Sequence, residues 1–398
     1  MKVIIDQIKE EASEVFDTLI KIRRHLHQYP ELSFQEENTG KFISDTLTQW
    51  GVSHTKGWAG NGIVAELGDS KEIENVIFLR ADIDALPIQE VKDRSYHSTI
   101  ENRMHACGHD VHTTCVLGAI HILKNLQDQW KGRIRFMFQP GEEKLPGGAS
   151  IMIDEGVLDN PKPKYVIGQH VHPPLEVGNV GFHPGPYMAS ADELYITITG
   201  KGGHAALPAN CINPITVSSQ VIAQFEQLYK KYKEENHEVI LSLGKIWSDG
   251  GATNIIPERL HIEGTYRAMN EKIRSKMHAE MQEIISKIQS ETKSKIDFEI
   301  RRGYPVLINH VQATEKCMDF AREFVGVEQT IHLPKRMTSE DFSYYSQKVP
   351  SVFYRLGTGN KAKGITASVH TPQFDVDEDS IELGAGLMAY LAIGLLEN

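Results

Sequence analysis

The stretch Val76-Ile77-Phe78-Leu79-Arg80-Ala81-Asp82-Ile83-Asp84 joins a short apolar run directly to a cluster of charge. Such a run, β-branched and aromatic, reads as a buried strand. The polar residues at its end fall where ligands collect in open α/β folds, outside the carboxyl ends of the strands. The pattern recurs in Ile134-Arg135-Phe136-Met137-Phe138, followed by Pro140-Gly141-Glu142-Glu143, and in Val166-Ile167, followed by Gln169-His170. Three distant segments therefore point at one crevice. Val352-Phe353-Tyr354 reads as another strand. Ile5, Ile8, Ala12, Val15, Leu19 and Ile22 make a helical stripe within residues 3–27, and Val116, Ala119, Ile120 and Leu123 make a second. Strands alternating with helices predict an α/β domain built on a mostly parallel sheet covered on both faces.

At 398 residues the chain exceeds the size at which a single core stops growing. From about residue 183 the pattern changes. The strand Glu193 to Ile198 leads through Gly200-Lys201-Gly202-Gly203-His204 to a helix carrying Ile215, Ile222, Phe225 and Leu228. Strands at Val239 to Leu243 and Leu260 to Gly264, a helix striped by Ile273, Met277, Met281, Ile284 and Ile288, and a strand at Ile296 to Ile300 complete the order βαββαβ. That order predicts a ferredoxin-like split-βαβ domain inserted into the first. The expected division is 1–182 with 299–398 for the catalytic domain and 183–298 for the insertion.

A net charge of -11 argues against nucleic acid or an anionic membrane as main partner, since both need basic patches. A small-molecule substrate fits. The cysteines, Cys107, Cys115, Cys211 and Cys317, are too scattered for a disulfide framework, so a reducing, cytoplasmic setting is expected. No signal-peptide core opens the chain, and no segment approaches the roughly 20 apolar residues of a membrane span.

The chemistry concentrates in Met104-His105-Ala106-Cys107-Gly108-His109-Asp110. Thiol, imidazole and carboxylate together suit zinc, manganese, cobalt or nickel better than magnesium or calcium. Cys107 precedes a helix, whose positive end is expected to lower its pKa and favour the thiolate. An isolated Cys-x-His is more often a buried thiol beside a satisfied histidine, but Glu142-Glu143, His170 and His370 reverse that balance. Pro140-Gly141 breaks the strand, so a turn allows both glutamates to face the crevice. One can bind metal while the other stays unligated and acts as base and then acid. His172, in His172-Pro173-Pro174, reads as a turn residue. No Gly-x-Ser-x-Gly elbow or glycine-rich phosphate loop offers a different chemistry.

These residues together resemble the two-metal amidohydrolases and peptidases related to aminoacylase, hippurate hydrolase, plant auxin-conjugate hydrolases, carboxypeptidase G and acetyl-diaminopimelate deacetylases. The resemblance covers nearly the whole chain. It rests on Arg24-His25-Leu26-His27, Pro30-Glu31-Leu32-Ser33-Phe34, Arg80 to Pro87, Met104 to Asp110 with His112, and Gln139 to Glu143. It continues in Gly203-His204-Ala205-Ala206-Leu207-Pro208, Asn254-Ile255-Ile256-Pro257, Ser339-Glu340-Asp341-Phe342 and His370-Thr371-Pro372, and it selects the hippurate and auxin-conjugate branch. It implies two divalent ions, with Cys107 binding or bridging both, His109 and His170 on one side, and Glu143 and His370 on the other. Glu142 would be general base and acid, and Asp84 would orient a ligand. Peptidase branches have His-x-Asp where this chain has Asp82-Ile83-Asp84, and aspartate where it has Cys107; His109 is taken to supply the missing imidazole. The resemblance also implies a lid and dimerisation module in a homodimer, with His204 and Asn254 completing the active site from the partner. Arg267 is a candidate for the substrate's α-carboxylate or a surface ion-pair residue. The implied reaction is cleavage of an N-acyl-amino acid; a di- or aminopeptidase is the enzymatic alternative, and a non-catalytic binding module the rival of another class.

Overall fold

In the computed structural model, which describes residues 2–92 and 94–397, the strand Val76–Asp82 is buried at every residue. It lies inside an eight-stranded sheet. Burial on both faces is what an unbroken apolar run requires. Val76–Asp82 pairs in parallel with Arg133–Gln139 on one side and with Tyr165–Glu176 on the other, and Ser351–Gly359 continues the parallel set. The sheet's margins are mixed, since Ser53–Trp58, Gly62–Gly68 and Arg133–Gln139 pair antiparallel. Register sets Asp82 beside Gln139, so the charged cluster and the Pro140-Gly141 turn leave the sheet together.

The chain divides into two compact units, one of Met1–Gly185, Ile308–Pro334 and Asp341–Asn398, the other of Pro186–Leu307 and Lys335–Glu340. The insertion thus extends past the expected 183–298, because its last strand, Lys295–Arg302, runs beyond that limit. In the first unit the helices Lys2–Gln28, His109–Asn125, Val311–Val325 and Asp379–Glu397 pack apolar residues into one core with the sheet. Asp379–Glu397 is long and apolar enough to cross a membrane by composition, although no such span was expected; 83% of its most apolar window is buried within the protein.

The second unit has its own core. Its strands Asp192–Thr199, Val239–Ser248, Arg259–Ala268 and Lys295–Arg302 form a four-stranded antiparallel sheet, with helices Pro214–Glu234 and Glu271–Thr292 between them in sequence. Arg259–Ala268 separates Asp192–Thr199 from Val239–Ser248, which is the split βαβ arrangement.

Candidate active site

The loop from Met104 turns into the helix His109–Asn125 through Gly108, whose φ is 82°. A β-carbon there would stand 2.5 Å from Val171, so only glycine fits between Cys107 and His109. The turn delivers the Cys107 thiol and the His109 imidazole to the site. Cys107 Sγ lies 3.4 Å from His170 Nε2 and 3.3 Å from His370 Nε2. His370 Nε2 lies 3.2 Å from Glu143 Oε1. Cys107, His109 and His170 form one set of possible metal ligands, and Cys107, Glu143 and His370 another, with donor atoms within 4.8 Å of one another in each.

The imidazoles of His109 and His170 are each aimed by a hydrogen bond on the far nitrogen. Asp84 Oδ1 lies 3.1 Å from His109 Nδ1, which leaves Nε2 facing inward. His170 Nδ1 donates to the Val171 carbonyl at 2.7 Å, again freeing Nε2. This is how proteins fix the tautomer of a metal-binding histidine. His370 is held by its backbone: its N–H donates to the Ala106 carbonyl at 2.7 Å while its φ is 63°. A non-glycine residue stays in that left-handed region only when its surroundings impose it.

These donors fit divalent ions. Among the described residues His109 Nε2 is buried and forms no hydrogen bond, which is costly for a polar atom unless something else meets it. Burial alone would depress His109, but Asp82, Asp84 and Glu143 outweigh it and raise its pKa to about 10. Burial, then the charges of Glu143 and Glu142, push the Cys107 thiol well above its ordinary pKa. This corrects the expectation that the helix terminus lowers it. A helix N-terminus contributes about 0.3–1 kcal/mol, less than one pKa unit. Cys107 alone is therefore a poor nucleophile, and a cation is what would favour its thiolate.

Glu142 is buried, and its Oε1 accepts from the Asp341 N–H at 3.3 Å. It also lies with His109 and Glu143 in a set whose donor atoms are within 4.8 Å of one another. Among the described residues, His172 is in no such set. It is also not in a turn, since the strand Tyr165–Glu176 runs through it and the prolines fall where the pairing register shifts.

Several residues with no expected role support this centre. His112 Nδ1 donates to Asp82 Oδ1 at 2.6 Å, and its Nε2 accepts from the Val171 N–H at 2.9 Å. Arg80 donates to Asp82, Gln139 and Asp341 from a buried position. In the second unit, Gly203–His204 pairs with Ile255–Ile256, and His204 Nδ1 accepts from the Ala206 N–H at 3.1 Å. The Asn254 carbonyl accepts from the Ala205 N–H at 3.0 Å, and Arg267 donates to the Met337 carbonyl at 2.9 Å.

A cluster of soft and hard ligands, buried at Cys107, His109 and His170 and opening to solvent at His370, beside a further glutamate defines a metal-dependent hydrolase. The chain belongs to peptidase family M20/M25/M40, whose family model matches residues 78–393. It is 38% identical over 380 residues to the N-acetyl-L-cysteine deacetylase of Bacillus subtilis (strain 168), covering 94% of this chain and 88% of that one. It is 34% identical over 384 residues to the IAA-amino acid hydrolase ILR1-like 4 of Arabidopsis thaliana, covering 96% and 86%. Among solved structures it resembles the Bacillus subtilis YXEP protein, a dinuclear metal-binding peptidase of the M20 family. The TM-score there is 0.83 at 32% identity, over 97% of this chain and 99% of that one.

Proposed function

We propose that this protein hydrolyses the amide bond of an N-acyl-L-amino acid, giving a carboxylate and a free amino acid. The observation that carries the reading is the Glu142-Glu143 turn standing beside two ligand sets that share Cys107. Cys107, His109 and His170 would hold one divalent transition-metal ion, and Cys107, Glu143 and His370 the other. Such ions supply Lewis acidity toward the amide carbonyl and the attacking water. Glu142 takes a proton from that water as its oxygen joins the carbonyl carbon, then returns it to the amide nitrogen as the C–N bond breaks. Asp84 keeps His109 in the tautomer that leaves Nε2 for the metal. The deacetylase and IAA-amino acid hydrolase relatives support blocked amino acids as substrates.

After chelation and reloading with zinc, manganese, cobalt or nickel, amine release is expected from N-acetyl- or N-benzoyl-amino acids. It should vanish with the chelator and return with at least one ion. Cleavage confined to unblocked dipeptides would replace the reading with a peptidase.

The same proposal places the enzyme in the cytoplasm, where its free cysteines stay reduced, and makes it a homodimer. The strand Val239–Ser248 lies at an edge of its sheet and exposes Ile246 and Trp247, a surface suited to a second copy. His204 and Asn254 then complete the partner's site, and Arg267 holds the substrate carboxylate. Because His204 Nδ1 accepts a hydrogen bond, the neutral ring carries its proton on Nε2, where it can donate to a developing oxyanion. His204→Ala should therefore lower the rate with metal occupancy unchanged. Mixing it with an inactive Glu142→Gln subunit should restore activity, since one site of each mixed dimer regains both groups. Verified subunit exchange without recovery would mean that His204 serves its own subunit or only supports the fold.

A further inference from the structure

The turn that carries Glu142 and Glu143 is gripped from outside by a segment near the start of the chain. Glu36 is fully buried, and its Oε1 accepts from the Gly141 N–H at 2.8 Å and from the Phe34 N–H at 2.9 Å. The Phe34 ring covers Gly141 so closely that a β-carbon on the glycine would lie 2.4 Å from it. Phe34 itself holds a left-handed φ of 65°. Ser33 Oγ donates at 2.7 Å to Asp84 Oδ2, the same oxygen that accepts from the Glu143 N–H at 3.0 Å. Residues 33–36 thus touch the turn before Glu142, through Gly141, and after it, through Asp84 and Glu143.

Glu36 is a costly residue to keep there. Burial, then the charge of Asp84, raises its pKa to about 7, and its remaining oxygen meets Asn61 Nδ2 at 3.5 Å. A buried carboxylate met among the described residues by backbone and amide donors and no cation is a poor source of stability.

The geometry points to Glu36 as a positioning residue, which holds the Gly141 peptide and so sets where Glu142 and Glu143 stand. This inference rests on the roles proposed above for those two glutamates. Both strong bonds end on one oxygen, so an acceptor at that reach matters and the charge does not. Glu36→Gln keeps the oxygen and the length, Glu36→Asp keeps the charge but is one methylene short, and Glu36→Ala keeps neither.

With metal content matched, Glu36→Asp and Glu36→Ala should lose about 10–100-fold in kcat with KM within about threefold, the scale of a displaced catalytic group. Glu36→Gln should restore most of the rate. Hydrogen exchange measured on the metal-free, full-length variants should show faster exchange across residues 141–148 for Glu36→Asp and Glu36→Ala, and wild-type protection for Glu36→Gln. Wild-type kcat and exchange in Glu36→Asp would overturn the inference, as would a Glu36→Gln variant as impaired as Glu36→Ala. If Glu36→Ala does not fold, the other pair decides. Glu142→Gln assayed alongside separates the two readings: activity there would remove the base, while the exchange data would still judge Glu36.

Discussion

Glu142→Gln is expected to retain its metals and lose turnover by about 10²–10⁴-fold, the usual worth of a positioned general base. The substitution is nearly isosteric, and the amide oxygen can still accept from the Asp341 N–H that Glu142 meets at 3.3 Å. What disappears is the ability to take a proton from water and give it to the leaving nitrogen. The site offers a competing role, because His109, Glu142 and Glu143 are grouped closely enough to share an ion. Metal content measured on the same sample as the rate separates the two. Loss of metal together with activity would make Glu142 a ligand, and activity within about tenfold of wild type would end its role as base.

The architecture was legible wherever one local signal decided the matter. A short β-branched and aromatic run ending in charge favours a buried strand with its polar end at the sheet's margin, and Val76–Asp82 is a strand buried at every residue. Alternation and helix stripes likewise gave the βαββαβ order of the second unit. The prolines after His172 misled because proline weighs heavily in turns, while a strand tolerates it at a bulge, which only pairing with Ser351–Gly359 reveals.

The residues of the site were legible as types and not as partnerships. Density of thiol, imidazole and carboxylate near strand ends marked Cys107, His109 and Glu143. Nothing local marked His112 as the partner of Asp82, or Glu36 as the acceptor for Gly141, since each pair is brought together by the fold alone. The thiol's acidity failed for the same reason: the helix terminus is visible in sequence, whereas burial beside Glu142 and Glu143 is not.

Cys107→Ala should abolish activity by emptying the centre. Cys107 is the one residue common to the ligand sets completed by His109 and His170 and by Glu143 and His370, so its removal weakens both. Loss of an outer partner of a metal ligand already costs about 10–100-fold in affinity, and a shared ligand should cost at least about 100-fold. Metal binding should also release fewer protons in the variant, because the thiol that burial and the neighbouring glutamates keep protonated must ionise to bind. Titration of the metal-free protein with zinc in weakly buffered solution reads affinity and proton release together. The rival role is nucleophilic, and the raised pKa of the thiol argues against it. Full metal content in Cys107→Ala, combined with an acyl adduct on wild-type Cys107 by intact-mass spectrometry, would reverse the assignment and make the thiol the attacking group.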